Sequence, residues 1–187
     1  QQVERPNMRE GLSKLIGNRA LQWVLLCSGL HFSMHMANSS FIANHVKALG
    51  LDPLWVGAAI SGGILVEVVI FASGEHWLKR FGASRLFCIA AFLAAARWAG
   101  MSVSEEGWQV LLMQSTHGVT FGFFWLGAVR LVTELSPASL PATGQGLLSA
   151  AVGGVGAAGG DVPARPAVPG GGDGHGRAPR REALGWR

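Results

Sequence analysis

The chain has 187 residues, 49% of them hydrophobic and only 14% charged, with a formal charge of +4. A soluble domain carries about 25% charged residues, so this deficit points to a lipid environment. The cations sit outside the apolar runs or singly within them, and no aromatic-interleaved basic face appears, which argues against a nucleic-acid partner.

Residues 1–19 carry Arg5, Arg9, Lys14 and Arg19. Met8, Leu12, Leu15 and Ile16 recur at helical spacing, which predicts a short amphipathic helix on the membrane surface. The chain opens on Gln without a signal peptide, as expected of a fragment with sequence upstream. Apolar runs follow at about 20–42, 54–73, 86–103 and 108–132, with a Gly/Ala-rich fifth run at 144–160 that is marginal for a full crossing. The connectors are 44–52, closed by Pro53, then a basic loop at 75–85, an acidic turn at 104–107 and a Pro-containing loop at 134–143. Cys27 and Cys88 lie within apolar runs and read as small buried hydrophobes, with neither metal-ligand spacing nor a disulfide framework.

Lysine and arginine placement predicts the orientation. The N-terminal segment, the Lys79–Arg80–Arg85 loop and Arg130 fall on one side, the cytoplasmic one, while the alternate loops hold only Lys47. Trp55 and Trp108 sit at the opposite edge, where interfacial anchors belong. The expectation is an integral protein of the cell (inner) membrane with a cytoplasmic N-terminus. Residues 161–187, rich in Gly, Pro and Arg, predict a disordered tail, either a genuine flexible extension or a segment translated out of frame.

The spans contain isolated polar groups. Ser28, His31, His35 and Asn38 share one face of the first, serving either as interhelical hydrogen-bonding groups or as the lining of a solute or proton path. Glu67 interrupts the second span just inward of the small residues Gly57, Ala58, Ser61, Gly62 and Gly63. A carboxylate at that depth costs on the order of 3 kcal/mol on insertion scales, and such groups face a protein interior or a water path. Arg97 lies in the third span at a depth within roughly 5–10 Å of Glu67 by the helical rise, within reach of a switchable contact. Gln114 and His117 open a face of the fourth span that Phe121 and Phe124 continue. His117 either relays a proton or hydrogen-bonds solute or a neighbouring helix. His31 and His35 stand at metal-sharing spacing without a third ligand nearby, so a metal-dependent intramembrane enzyme using them with Glu67 is a minor alternative. With no phosphate-binding glycine loop, nucleophile elbow or metalloprotease pattern, no catalytic residue, cofactor or metal site is expected.

The span order and the basic turn after the second span resemble the C-terminal half of a major facilitator superfamily transporter. In KRFGASR (79–85), Arg80 and Gly82 match that superfamily's loop pattern, while Lys79 replaces its acid and Ala83 and Ser84 its basic pair. ILVEVVIF with Glu67, AARW with Arg97, QSTHGVTFG with Gln114 and His117, and PATGQGL at 141–147 are similar to the phenylpropionate permease-like and lactose permease-like branch. The resemblance covers about 12–160. It implies an all-α polytopic bundle of about five spans, half of a twelve-helix fold around an alternating-access cavity. It also implies a small organic solute and a proton as partners, with the N-terminal half of the transporter supplied from elsewhere. Glu67, Arg97 and His117 occupy the helices that carry the coupling Glu, Arg and His of lactose-permease-like members. Thr120 and Phe121 stand where an acid would follow His117, which leaves proton acceptance to Glu67 or the first-span histidines. The domain expectation is a cytoplasmic segment 1–19, a transporter half-bundle 20–160 and the tail 161–187. A truncated, inactive product is the alternative to a proton-coupled symporter.

Overall fold

A computed structural model describes residues 8–156. The tail expected at 161–187 and the first seven residues lie outside the described residues. Seven helices follow in order: α1 Met8–Gly17, α2 Arg19–Ala48, α3 Leu54–Ala72, α4 Gly74–Phe81, α5 Ala83–Ser102, α6 Gly107–Leu135 and α7 Pro141–Ala151, which runs into a π-helical turn at Val152–Gly156. No strand occurs among the described residues, so the all-α expectation holds. Helices α3, α5 and α6 are long and apolar enough to cross a membrane. Helix α2 has 30 residues, about 45 Å of helix, but its polar face keeps it out of that set.

The ends of the helices are set by local chemistry. Asn18 Oδ1 accepts from the backbone N–H of Ala20 and Leu21 at 3.0 and 3.3 Å, capping α2. Its Nδ2 donates to the Leu135 carbonyl at 3.1 Å, which ties the start of α2 to the end of α6. Gln109 Oε1 accepts from the N–H groups of Glu105 and Glu106 at 2.8 and 3.0 Å, fixing the acidic turn before α6. Pro141 occupies the first turn of α7, where its missing N–H costs nothing.

The basic loop expected at 75–85 is instead the short helix α4, broken from α5 by Gly82 at φ +76°. It forms because its apolar residues share a face that packs inward. Trp77 lies 5.2 Å from the Phe123 ring and donates its indole N–H to Ser73 Oγ at 2.9 Å. On the outer face Lys79 pairs with Glu75 at 2.6 Å. In α1, Lys14 binds Glu10 at 2.8 Å, and this hydrogen bond and charge hold the Glu10 carboxyl below its usual value.

Helix α6 is the hub, with α3 and α5 packed along it and α2 and α7 closing the remaining side. Small residues set how close the helices come. A Cβ on Gly118 would strike the Gly63 carbonyl and stand 2.7 Å from Glu67 N, while one on Gly127 would stand 2.9 Å from Ala83 O and Phe87 N of α5. Of the predicted small patch on α3, Gly62 and Gly63 face α6, whereas Gly57 meets open space. Cys27 and Cys88 are both exposed on the outside of the bundle, against the expectation that they are buried. Both lie among apolar neighbours in the sequence, where hydropathy alone does not tell an inward from an outward position.

Two apolar clusters result. One joins Leu21, Ile70, Leu86, Ala90, Phe124, Val132 and Leu148 towards the end that gathers α1, α4 and the close of α6. The other joins Ile42, Val46, Ala59, Met101 and Val110 at the opposite end, where the Trp55 ring lies against Gly107. Between them, at mid-height on α2, α3, α5 and α6, sits a polar layer.

Candidate functional site

The polar layer is built from residues one or two helical turns apart, brought together because α2 and α5 both reach α6 at this level. Arg97 Nη1 on α5 donates to Asn38 Oδ1 on α2 at 2.7 Å, and Asn38 Nδ2 donates to Gln114 Oε1 on α6 at 3.1 Å. All three are buried, with 4%, 1% and 5% of their surface exposed. Arg97 Nε and His117 Nδ1 find no hydrogen-bond partner among the described residues. The Arg97 guanidinium lies 5.3 Å from the Trp98 ring centroid.

One turn along, imidazoles and aromatic rings interleave across the α2–α6 seam. The His35 ring stacks on His117 at 4.4 Å and on Phe121 at 4.6 Å. The next turn repeats the pattern with His31 on Phe124 at 4.3 Å, and Phe124 in turn lies 5.5 Å from Trp125. The aromatic residues after His117 therefore pack the helix seam and also form the bed on which two histidines lie. Ser28, further down the same face, is buried with no hydrogen-bond partner for Oγ among the described residues.

Glu67 of α3 opens onto a cleft of about 330 Å³ shared with His35, Gln114 and His117 and walled by Ile42, Ile60, Gly63 and Ile64. That volume lies at the lower end of small-ligand sites, and the lining has their usual character, an apolar wall with a few convergent polar groups.

The structure thus brings together Asn38, Arg97 and Gln114 in one chain of hydrogen bonds, and His35, Glu67, Gln114 and His117 around one cleft. His31 stands one turn from the cleft. The expected Glu67–Arg97 contact is not made, since no ion pair joins them among the described residues. Depth along the membrane normal brought them close on paper, but α3 and α5 pack on α6 separately, and Arg97 turns to Asn38 while Glu67 turns to the cleft. The apolar walls Ile42, Ile60 and Ile64 and the close-approach residue Gly118 were not singled out in the sequence. Gly118 and Gly122, four residues apart on the face that carries Gln114, are the signal that marks the α3 side of α6.

The sequence pattern of the MFS_1 like family matches residues 1–163. The chain is 26% identical to a maltose permease of Geobacillus stearothermophilus over 80% of its own length and 38% of that protein. It is 30% identical to a probable 3-phenylpropionic acid transporter of Escherichia coli K12 over 58% of its length and 28% of that protein. An uncharacterized transporter of Bacillus subtilis, YwbF, is 20% identical over 76% and 36% of the two lengths. The chain therefore spans about a third of the curated relatives it matches. No solved structure gives a significant match. A match over most of the chain, joined to an all-helical bundle with membrane-length apolar helices, places this chain in the MFS_1 like family of transporters.

Proposed function

We propose that this chain is the C-terminal half-bundle (20–160) of a proton-coupled symporter for a small organic solute, working by alternating access. The mid-height polar layer carries the reading. Glu67, His35, His117 and Gln114 converge on one cleft between two apolar clusters, an arrangement that serves solute and proton binding and adds nothing to stability that apolar residues would not supply better. A small solute enters the cleft, and Glu67 or a stacked imidazole takes the accompanying proton. The transporter half before residue 1 closes the other side, and the solute passes unchanged, without enzymatic chemistry. Two relatives are named for a sugar and for an aromatic acid, both within the size of such a cleft. The half sits in the inner membrane with its basic end, and so its N-terminus, on the cytoplasmic side.

In the full-length transporter, Glu67→Gln is expected to abolish proton-driven uptake while leaving solute exchange intact. Uphill accumulation at the unmodified rate in that variant removes Glu67 from the coupling step.

A further inference from the structure

Arginine is a donor only, with no acceptor to offer. The oxygen of the Asn38 amide must therefore face Arg97, and its Nδ2 must face α6. Gln114 then has to present Oε1 to Asn38, which leaves its Nε2 amide for the cleft that Gln114 lines. The direction of the whole chain is fixed at its buried end, whatever occupies the cleft. The Arg97 charge is not offset by a carboxylate within ion-pair distance among the described residues, and it polarises both amides in the same sense. The cleft wall at Gln114 is thus a held N–H donor with a positive charge behind it.

We propose that Gln114 is the specificity-determining contact for a solute bearing a carboxylate, and that Arg97 and Asn38 are positioning residues that hold its amide with the N–H outward. This rests on the transport reading for the identity of the cleft, but it concerns which solute the cleft takes. A carboxylate accepts from Nε2 and gains from the charge behind it. A hydroxyl of the same size also accepts from Nε2 but gains little from that charge.

The test is binding of two matched pairs to the purified full-length transporter: phenylpropionate against phenylpropanol, and maltobionate against maltose. The carboxylate member is expected to bind about tenfold tighter than its neutral partner in at least one pair. Asn38→Asp keeps an acceptor for Arg97 but removes the donor to Gln114, so the Gln114 amide is free to turn over. The preference should then fall below about threefold, with the helical content and melting profile kept. Gln114→Glu, which places an oxygen where Nε2 stood, should remove carboxylate binding altogether. Equal binding of charged and neutral members, no binding of any of the four, or an Asn38→Asp variant with undiminished preference overturns the proposal. Carboxylate-selective binding without uptake into proteoliposomes sinks the transport reading and leaves this one standing. Uptake without carboxylate preference does the reverse.

Discussion

Asn38 is the residue on which the polar layer turns, since it is the shared partner of a buried cation and a buried amide. Interhelical hydrogen bonds in membranes average about 0.6 kcal/mol because the separated helices find other partners. A buried guanidinium that loses its acceptor is a heavier loss, about 2–3 kcal/mol. Asn38→Leu is therefore expected to destabilise the protein by roughly that amount in reversible unfolding from mixed micelles. Adding Arg97→Met should recover most of the loss, because the stranded charge goes with it. A double variant no more stable than the single one would show that the Asn38–Gln114 bond, not the charge, is the larger part. Which residues carried the layer was legible from spacing alone: His31, His35 and Asn38 fall on one α2 face, Gln114 and His117 on one α6 face. Which of them touch was not, because depth along a helix says nothing about azimuth, and Glu67 and Arg97 at similar depth face different neighbours.

At the scale of elements, α6 owes its central position to glycines that let two helices approach it at once. The Gly118 backbone lies against the Gly63 carbonyl and the Glu67 amide, rigid groups with no side-chain freedom to retreat. Gly118→Val is expected to push α3 away, lower the yield of folded protein and cost about 1–3 kcal/mol or more in the same unfolding assay. At Gly57, where a Cβ meets open space, Gly57→Ala should leave stability within about 0.5 kcal/mol of the parent. Helix existence was readable from hydropathy, because the apolar runs are long, but not every limit was. Helix α2 continues to Ala48 through half of the connector expected at 44–52, because a helix does not end where its apolar run does, and the fifth run begins earlier, at Pro141. Helix α4 was not readable, because its eight residues are charged on one face and its inward face is defined by packing on α5 and on Phe123 and Leu126 of α6. The outward cysteines were missed for the same reason: among apolar neighbours, only packing distinguishes the lipid side.

At the scale of the whole molecule, the structure gathers the charges of one end. Helix α1, the Lys79–Glu75 pair of α4 and the Arg130–Glu134 pair of α6 lie together, and the start of α2 is hydrogen-bonded to Leu135 there. Trp55 and the turn before α6 lie at the other end. With Cys27 and Cys88 replaced by serine, a cysteine at Lys79 is expected to react with a membrane-impermeant maleimide only after the cells are opened, and one at Glu105 in intact cells. The reverse pattern would invert the proposed orientation.

The two apolar clusters have a consequence for traffic. They pack above and below its polar belt, so a polar molecule moving between α2, α5 and α6 along their axes would have to displace close-packed apolar side chains. The cleft between the two clusters is lined from three helices, α2, α3 and α6. Under the proposed function, whatever leans against those three helices, and from which end it lifts away, decides which compartment the belt can hear from.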